Sequence, residues 1–239
     1  MTGALDGGML LDDASQIVRT LQFGDSMLPV GNFAFSGGLE SAIQKGVVTD
    51  PETLLAFTRT AVEQAARGDG IAVVHAHRAA SAGDLDALAE IDALVYARKL
   101  SAENRAMTVR IGRKYSALAV DVTAAPLLQA WRERVEAGAT PGCYPVALAA
   151  SFAAQALSAR AAFAVHQYGV AAMILGAALR LMRIGHVDTQ RMLYQLNAGI
   201  AGAYETAAAA SLADMAGFAP LYEILAAVHV KAHVRLFMN

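Results

Sequence analysis

Apolar positions along this chain recur at spacings of three and four, and the residues that interrupt them fall where helices should end. The clearest start is Asp50-Pro51-Glu52, which offers a capping side chain, a proline at the first helical position and an acid in the first turn. Leu54, Phe57, Thr58, Ala61, Val62 and Ala65 then give one apolar face to a helix running to Arg67, ahead of Gly68-Asp69-Gly70. The same reading lets Asp12 or Asp13 cap a first short helix through about Phe23, and Ser36 cap a second that ends near Gly46. Residues 24–31 between them are too rich in Gly and Pro for regular structure. Further starts are predicted at Asp84, Ser101, Pro126, Pro145 and Asp188, with breaks at Gly83, Gly138 and Gly185. Strand signals are confined to Gly46-Val47-Val48-Thr49, which is too short to found a sheet. The expectation is a compact all-α domain of roughly ten helices. It spans residues 1–239, with a flexible N-terminus over about residues 1–11.

Composition narrows the class. Of 239 residues, 56% are apolar and 17% charged, so the chain can bury a core and is not disordered. A net charge of −2 leaves no basic stripe to neutralise phosphates, which excludes a nucleic-acid binder. The single cysteine, Cys143, forbids an internal disulfide and fits a reducing cytosol. A mean hydropathy of +0.38 raises the question of a membrane. Residues 137–159 and 161–179 reach the roughly 20 residues that a spanning helix needs. The first stretch carries two glycines and two prolines, however, and the second carries His166-Gln167-Tyr168. Alanine supplies much of the apolar count at little transfer energy, and the N-terminus lacks the basic region of a signal peptide. A soluble, cytoplasmic protein is expected.

The familiar catalytic signatures are missing. There is no Gly-x4-Gly-Lys-Ser/Thr, no Gly-x-Gly-x-x-Gly, no Cys-x-x-Cys and no His-Glu-x-x-His. Gly112-Arg113-Lys114-Tyr115-Ser116 resembles only the end of a phosphate loop and sits in a helical run. His75 and His77, two apart on a helix, point to different faces, one packed and one solvated. His166 reads as a core or interface residue, and His186 as the end of a helix, where the dipole favours a charged ring. His229 and His233 share a face at i and i+4, a spacing that can meet a metal, but no third ligand lies nearby. Cys143 precedes a helix and reads as a small buried residue more readily than as an activated thiolate.

The most unusual stretch is residues 25–40, Asp25-Ser26-Met27-Leu28-Pro29-Val30-Gly31-Asn32-Phe33-Ala34-Phe35-Ser36-Gly37-Gly38-Leu39-Glu40. Asp25 and Ser26 can bond their own backbone in a turn, and the glycines permit left-handed geometry. Physics alone leaves two readings open: an ordered loop wrapping the core, or a surface that presents Phe33 or Phe35 to a partner. This stretch resembles the N-terminal signature of the urease accessory protein UreF family, Asp-Ser-x-Leu-Pro-x-Gly followed by aromatic-Ser and Gly-Leu-Glu. Ala177-Ala178-Leu179-Arg180-Leu181-Met182-Arg183-Ile184-Gly185-His186 resembles a second family block, with Arg180 on its basic position and Gly185 on its glycine. Arg183 stands for the family's proline there, and His186 for its glutamine. Residues 229–237 resemble the family's His-Glu-x4-Arg-Leu-Phe tail, with Arg235, Leu236 and Phe237 matching and Val230 replacing the glutamate.

This resemblance implies a non-catalytic, cytosolic, all-α homodimer that serves as a maturation chaperone. It would bind UreD (also called UreH), recruit the GTPase UreG, and help apo-urease take up nickel at its carbamylated-lysine metallocentre. The implied partner-binding residues are Asp25, Ser26, Pro29, Gly31, Phe33, Phe35, Ser36, Glu40, Arg180, Gly185, Arg235, Leu236 and Phe237. Residues 25–40 and Arg180 would face UreG or organise the dimer. A tail of about residues 230–239 would order against UreD, anchored by Phe237 and Arg235. No cofactor would be held tightly, nickel being handled by the assembly. The rival reading is a small all-α metalloprotein or enzyme using His229 and His233.

Overall fold

The computed structural model of the chain describes residues 8–25, 28–31, 34–216, 224–225 and 236–237. Within them the protein is all-α. The helices are α1 (Gly8–Gly24), α2 (Leu39–Gln44), α3 (Pro51–Arg67), α4 (Asp69–Ser81), α5 (Leu85–Arg98) and α6 (Ala102–Thr123). Then follow α7 (Pro126–Glu136), α8 (Tyr144–Ala154), α9 (Ala159–Leu181), α10 (His186–Asn197) and α11 (Ile200–Ala209).

Local chemistry sets most of the boundaries. The Asp50 carboxylate accepts from the Thr53 N–H at 2.8 Å, and the Thr53 hydroxyl accepts from the Asp50 N–H at 3.1 Å, closing a capping box on α3. Asp84, Ser101 and Ser158 cap α5, α6 and α9 with a side-chain oxygen that accepts a first-turn N–H, and Pro126 and Pro145 sit in the first turns of α7 and α8. Four expectations shift. α1 begins at Gly8, so Asp12 and Asp13 lie within it rather than ahead of it. Gly37 and Gly38, both at positive φ, turn the chain into α2 at Leu39, three residues past Ser36. Gly68 alone separates α3 from α4. Gly185 is extended rather than left-handed, so it opens α10 at His186 instead of closing a helix, and His186 is a first-turn residue.

Two cores form around two central helices. In the first, every residue of α8 from Pro145 to Phe152 is buried, with α4 on one side and α6 on another, and Trp131, Tyr115 and Phe163 fill the space around them. Small residues bring these backbones close. A Cβ on Gly112 of α6 would stand 2.2 Å from the Gly142 carbonyl and 2.5 Å from the Tyr144 nitrogen. The phosphate-loop lookalike is thus a packing device. The second core lies where α9 meets α2, α3 and α10, with Leu39, Leu54, Ile174 and Leu193 inside.

Helix α9 joins the two cores, contributing Phe163 to one and Ile174 to the other. Among the described residues it is the one helix long and apolar enough to cross a membrane, and half of that window is buried. Its neighbours include α1, α2, α3, α4, α8, α10 and α11, and a helix surrounded on most sides needs an apolar surface on most sides.

Candidate functional site

The second core is completed by residues from three distant blocks of sequence. Glu40, the second residue of α2, is carried inward by the Gly37-Gly38 turn and is 3% exposed. A buried carboxylate needs donors on both oxygens. One Glu40 oxygen accepts the backbone N–H of Leu236 at 2.9 Å, and the other accepts that of Phe237 at 3.2 Å. The Phe237 ring is 4% exposed in the second core, and the Arg180 guanidinium lies over its face, 4.0 Å from the centroid. Arg180 stands in the last turn of α9, where the helix dipole favours a cation. Leu236 is turned the other way and is 68% exposed.

The predicted site residues therefore sort into a hidden set and a displayed set. Phe35, Ser36, Glu40 and Phe237 are buried, so the Phe35 ring is part of the first core and not a feature offered to a partner. Phe237 is likewise seated on its own chain. Asp25, Pro29, Arg180, Gly185 and Leu236 are exposed, and Gly31 is half-buried at positive φ. Ser26, Phe33 and Arg235 lie outside the described residues, as do His229 and His233. Beside this cluster a groove of about 500 Å³ runs between the end of α1, the loop after it, α9 and α10. Gly169, Ala172 and Gly176 of α9 line it together with Arg180 and His186.

The remaining titratable groups are structural. His75 and His77 each place Nε2 against a backbone carbonyl, Ala210 at 2.9 Å and Leu157 at 2.7 Å; both are half-buried, so neither is the solvated member expected of the pair. Burial pushes the His77 ring below its ordinary range. His166 is buried as expected, stacked near Tyr144 and 3.7 Å from the Asp69 carboxylate, itself paired with Lys99 at 2.6 Å. Burial takes its ring down to about 4, with Asp69 opposing that change and Lys99 adding to it. Cys143 is fully buried, and burial together with the Asp92 carboxylate pushes its thiol far above the usual range, so it is no nucleophile. No group of three metal-ligating side chains occurs among the described residues.

Two ionic features went unread in the sequence. Asp92 is fully buried on α5 and gathers the turn ahead of α8: it accepts from the Thr140 hydroxyl at 2.6 Å, the Gly142 N–H at 2.6 Å and the Cys143 N–H at 2.7 Å. The signal was its place on the stripe Leu88, Ile91, Asp92, Val95, the face that α5 buries. The Asp69–Lys99 pair carried no such signal.

The site thus binds backbone and covers an aromatic ring. Comparison with known proteins leads to the same family as the sequence blocks. The family model described as UreF matches residues 48–197, more than half of the chain. A urease accessory protein UreF 2 from Brucella canis is 54% identical over 223 residues, covering 93% of this chain and 92% of the relative. UreF 1 from Brucella melitensis is 53% identical over 223 residues, with the same coverage of both chains. UreF from Yersinia enterocolitica is 48% identical over 227 residues, covering 95% of this chain and all of the relative.

Proposed function

The chain belongs to the UreF family of urease accessory proteins, and from that role in urease maturation we propose that it acts as a non-catalytic adaptor in the cytoplasm. In this reading it binds UreD (UreH), recruits the GTPase UreG as a homodimer, and supports GTP-dependent nickel incorporation into apo-urease. Nickel is cargo of the assembly, and no cofactor stays on this chain. The observation that carries the reading is the convergence of Glu40, Arg180 and Phe237 at one edge of the second core, with Arg180 exposed and the other two buried beneath it. Three matched blocks that are remote in sequence meet through contacts suited to presenting a surface. Exposed Asp25, Pro29, Arg180, Gly185 and Leu236 are the contact residues on this view, and Phe35, Ser36, Glu40 and Phe237 hold them in place.

Co-expression with UreD and UreG from the same source, followed by size-exclusion chromatography with light scattering, tests the proposal. The expected product is a co-eluting complex with two copies of this chain. Arg180→Asp should deplete UreG from that complex by about tenfold, the loss expected for a buried or half-buried charge contact at an interface. A chain that elutes alone, and above all one that carries stoichiometric metal, would favour the metalloprotein reading through His229 and His233 instead.

A further inference from the structure

We propose that the cavity between α3, α10 and α11 binds a small carboxylic acid with an apolar body and a hydroxyl or N–H donor at its far end. Gln167 takes the donor, and Arg59 and Arg67 take the carboxylate. The inference goes beyond the adaptor reading and does not rest on it.

One buried amide carries the argument. Gln167 of α9 is 1% exposed, and its Oε1 atom has no hydrogen-bond partner. An unmatched buried acceptor costs the fold, and such atoms are few unless a water or a ligand satisfies them. Neighbours set which way the amide faces. His166 holds Nε2 3.7 Å from the Asp69 carboxylate, which favours the proton on that nitrogen. Its Nδ1 is then an acceptor, and Gln167 Nε2 donates to it at 3.3 Å. Helix α4 comes close as well: a Cβ on Gly70 would stand 3.2 Å from Gln167 Nε2 and 2.5 Å from the Phe163 ring. Oε1 is the end of the amide left over, and Gln167 lines a cavity of about 380 Å³. That volume falls in the range of small-ligand sites, about 300–1,000 Å³.

The walls define the rest of the ligand. Ala66, Ile71, Leu196 and Ala207, from four different helices, are buried and line the cavity with apolar surface. On its exposed side α3 sets Arg59, Glu63 and Arg67 at intervals of four residues, along one face of the helix. None of the three is in an ion pair among the described residues. The rim therefore carries two guanidiniums against one carboxylate, an excess of one positive charge. A single carboxylate on the ligand matches that excess, and a guanidinium fork is the group that binds it best.

The probe is 4-hydroxyphenylacetate, titrated into the full-length chain while the methyl resonances of Ile71, Leu196 and Ile200 are followed by NMR. Saturable shifts with a Kd of about 1 mM are expected for a ligand of this size. Phenylacetate, which lacks the donor, should bind about tenfold more weakly. 4-Hydroxyphenylethanol, which lacks the anion, should bind about threefold more weakly, because the arginines are exposed. Gln167→Met removes the acceptor at similar length. It should bring 4-hydroxyphenylacetate down to the affinity of phenylacetate and leave phenylacetate unchanged. If Gln167→Met fails to fold, Ala203→Leu carries the test by filling the cavity from α11, and should abolish the shifts with either acid. No saturable shift up to about 10 mM, or full binding to Ala203→Leu, overturns the site and leaves Gln167 to an ordered water. Equal binding of the two acids, or undiminished 4-hydroxyphenylacetate binding to Gln167→Met, overturns the role of the amide.

Discussion

Two buried carboxylates in this protein do the same chemistry with opposite reach. Asp92 and Glu40 are both buried, and each accepts backbone N–H groups. Asp92 joins α5 to the turn ahead of α8, a segment about fifty residues away that lies in the middle of the first core. Glu40 joins α2 to a tail 196 residues further on. The Asp92 turn is also pressed by α6 through Gly112, so its loss propagates into three helices. At the tail, Phe237 is seated in the second core while Leu236 beside it faces outward. What a buried carboxylate contributes is therefore decided by what its donors belong to.

The contrast can be broken by substitution, beginning at the stronger end. Asp92→Ala leaves the Thr140 hydroxyl and two backbone N–H groups without their acceptor, and should cost about 4 kcal/mol in denaturant unfolding, enough to threaten expression. Gly112→Ala forces a methyl group onto the backbone of residues 142–144, which neither side can yield, and should cost about 3 kcal/mol. That corresponds to a fall in Tm of roughly 6–12 °C for a chain of this size.

Acid provides a third way in, because His166 is buried on α9, the helix that contributes to both cores. The His166 ring is held at about 4 in the fold against 6.5 when unfolded, so the unfolded chain binds more protons between those values. The stability it represents is complete above pH 6.5 and is lost as pH falls toward 4. Between pH 7 and pH 4.5 the loss should be about 2 kcal/mol, measured as a falling urea midpoint. His77, also held below its ordinary range, adds in the same direction. A His166→Phe chain should show a flatter profile over that interval. The smallest global effect belongs to Glu40→Gln. Its Tm should move by only about 2–4 °C, the equivalent of roughly 1 kcal/mol. A large drop in Tm would erase the distinction between the two carboxylates.

Much of this fold is legible residue by residue. Asp50, Asp84, Ser101 and Pro126 each announce a helix because capping is a contact among neighbours in sequence. Ser36 and His186 mislead because the conformation of a glycine decides the outcome. Gly37 and Gly38 add a left-handed turn before α2, whereas Gly185 stays extended and begins a helix. The histidines at 75 and 77 were beyond local reading, since their carbonyl partners come from residues 210 and 157. At the candidate site the three blocks could be recognised separately by resemblance. Their meeting could not, because no periodicity links Glu40 to Phe237 across the intervening helices.

That separation has a consequence for the order of synthesis. The Glu40 carboxylate leaves the ribosome 196 residues before the first amide that will satisfy it. Until then, α2 holds a charged group that lacks these two tail donors. The seam around Arg180 therefore closes only on a chain translated through Phe237. A binding protein that reads that seam would favour chains that extend through Phe237 over shorter ones.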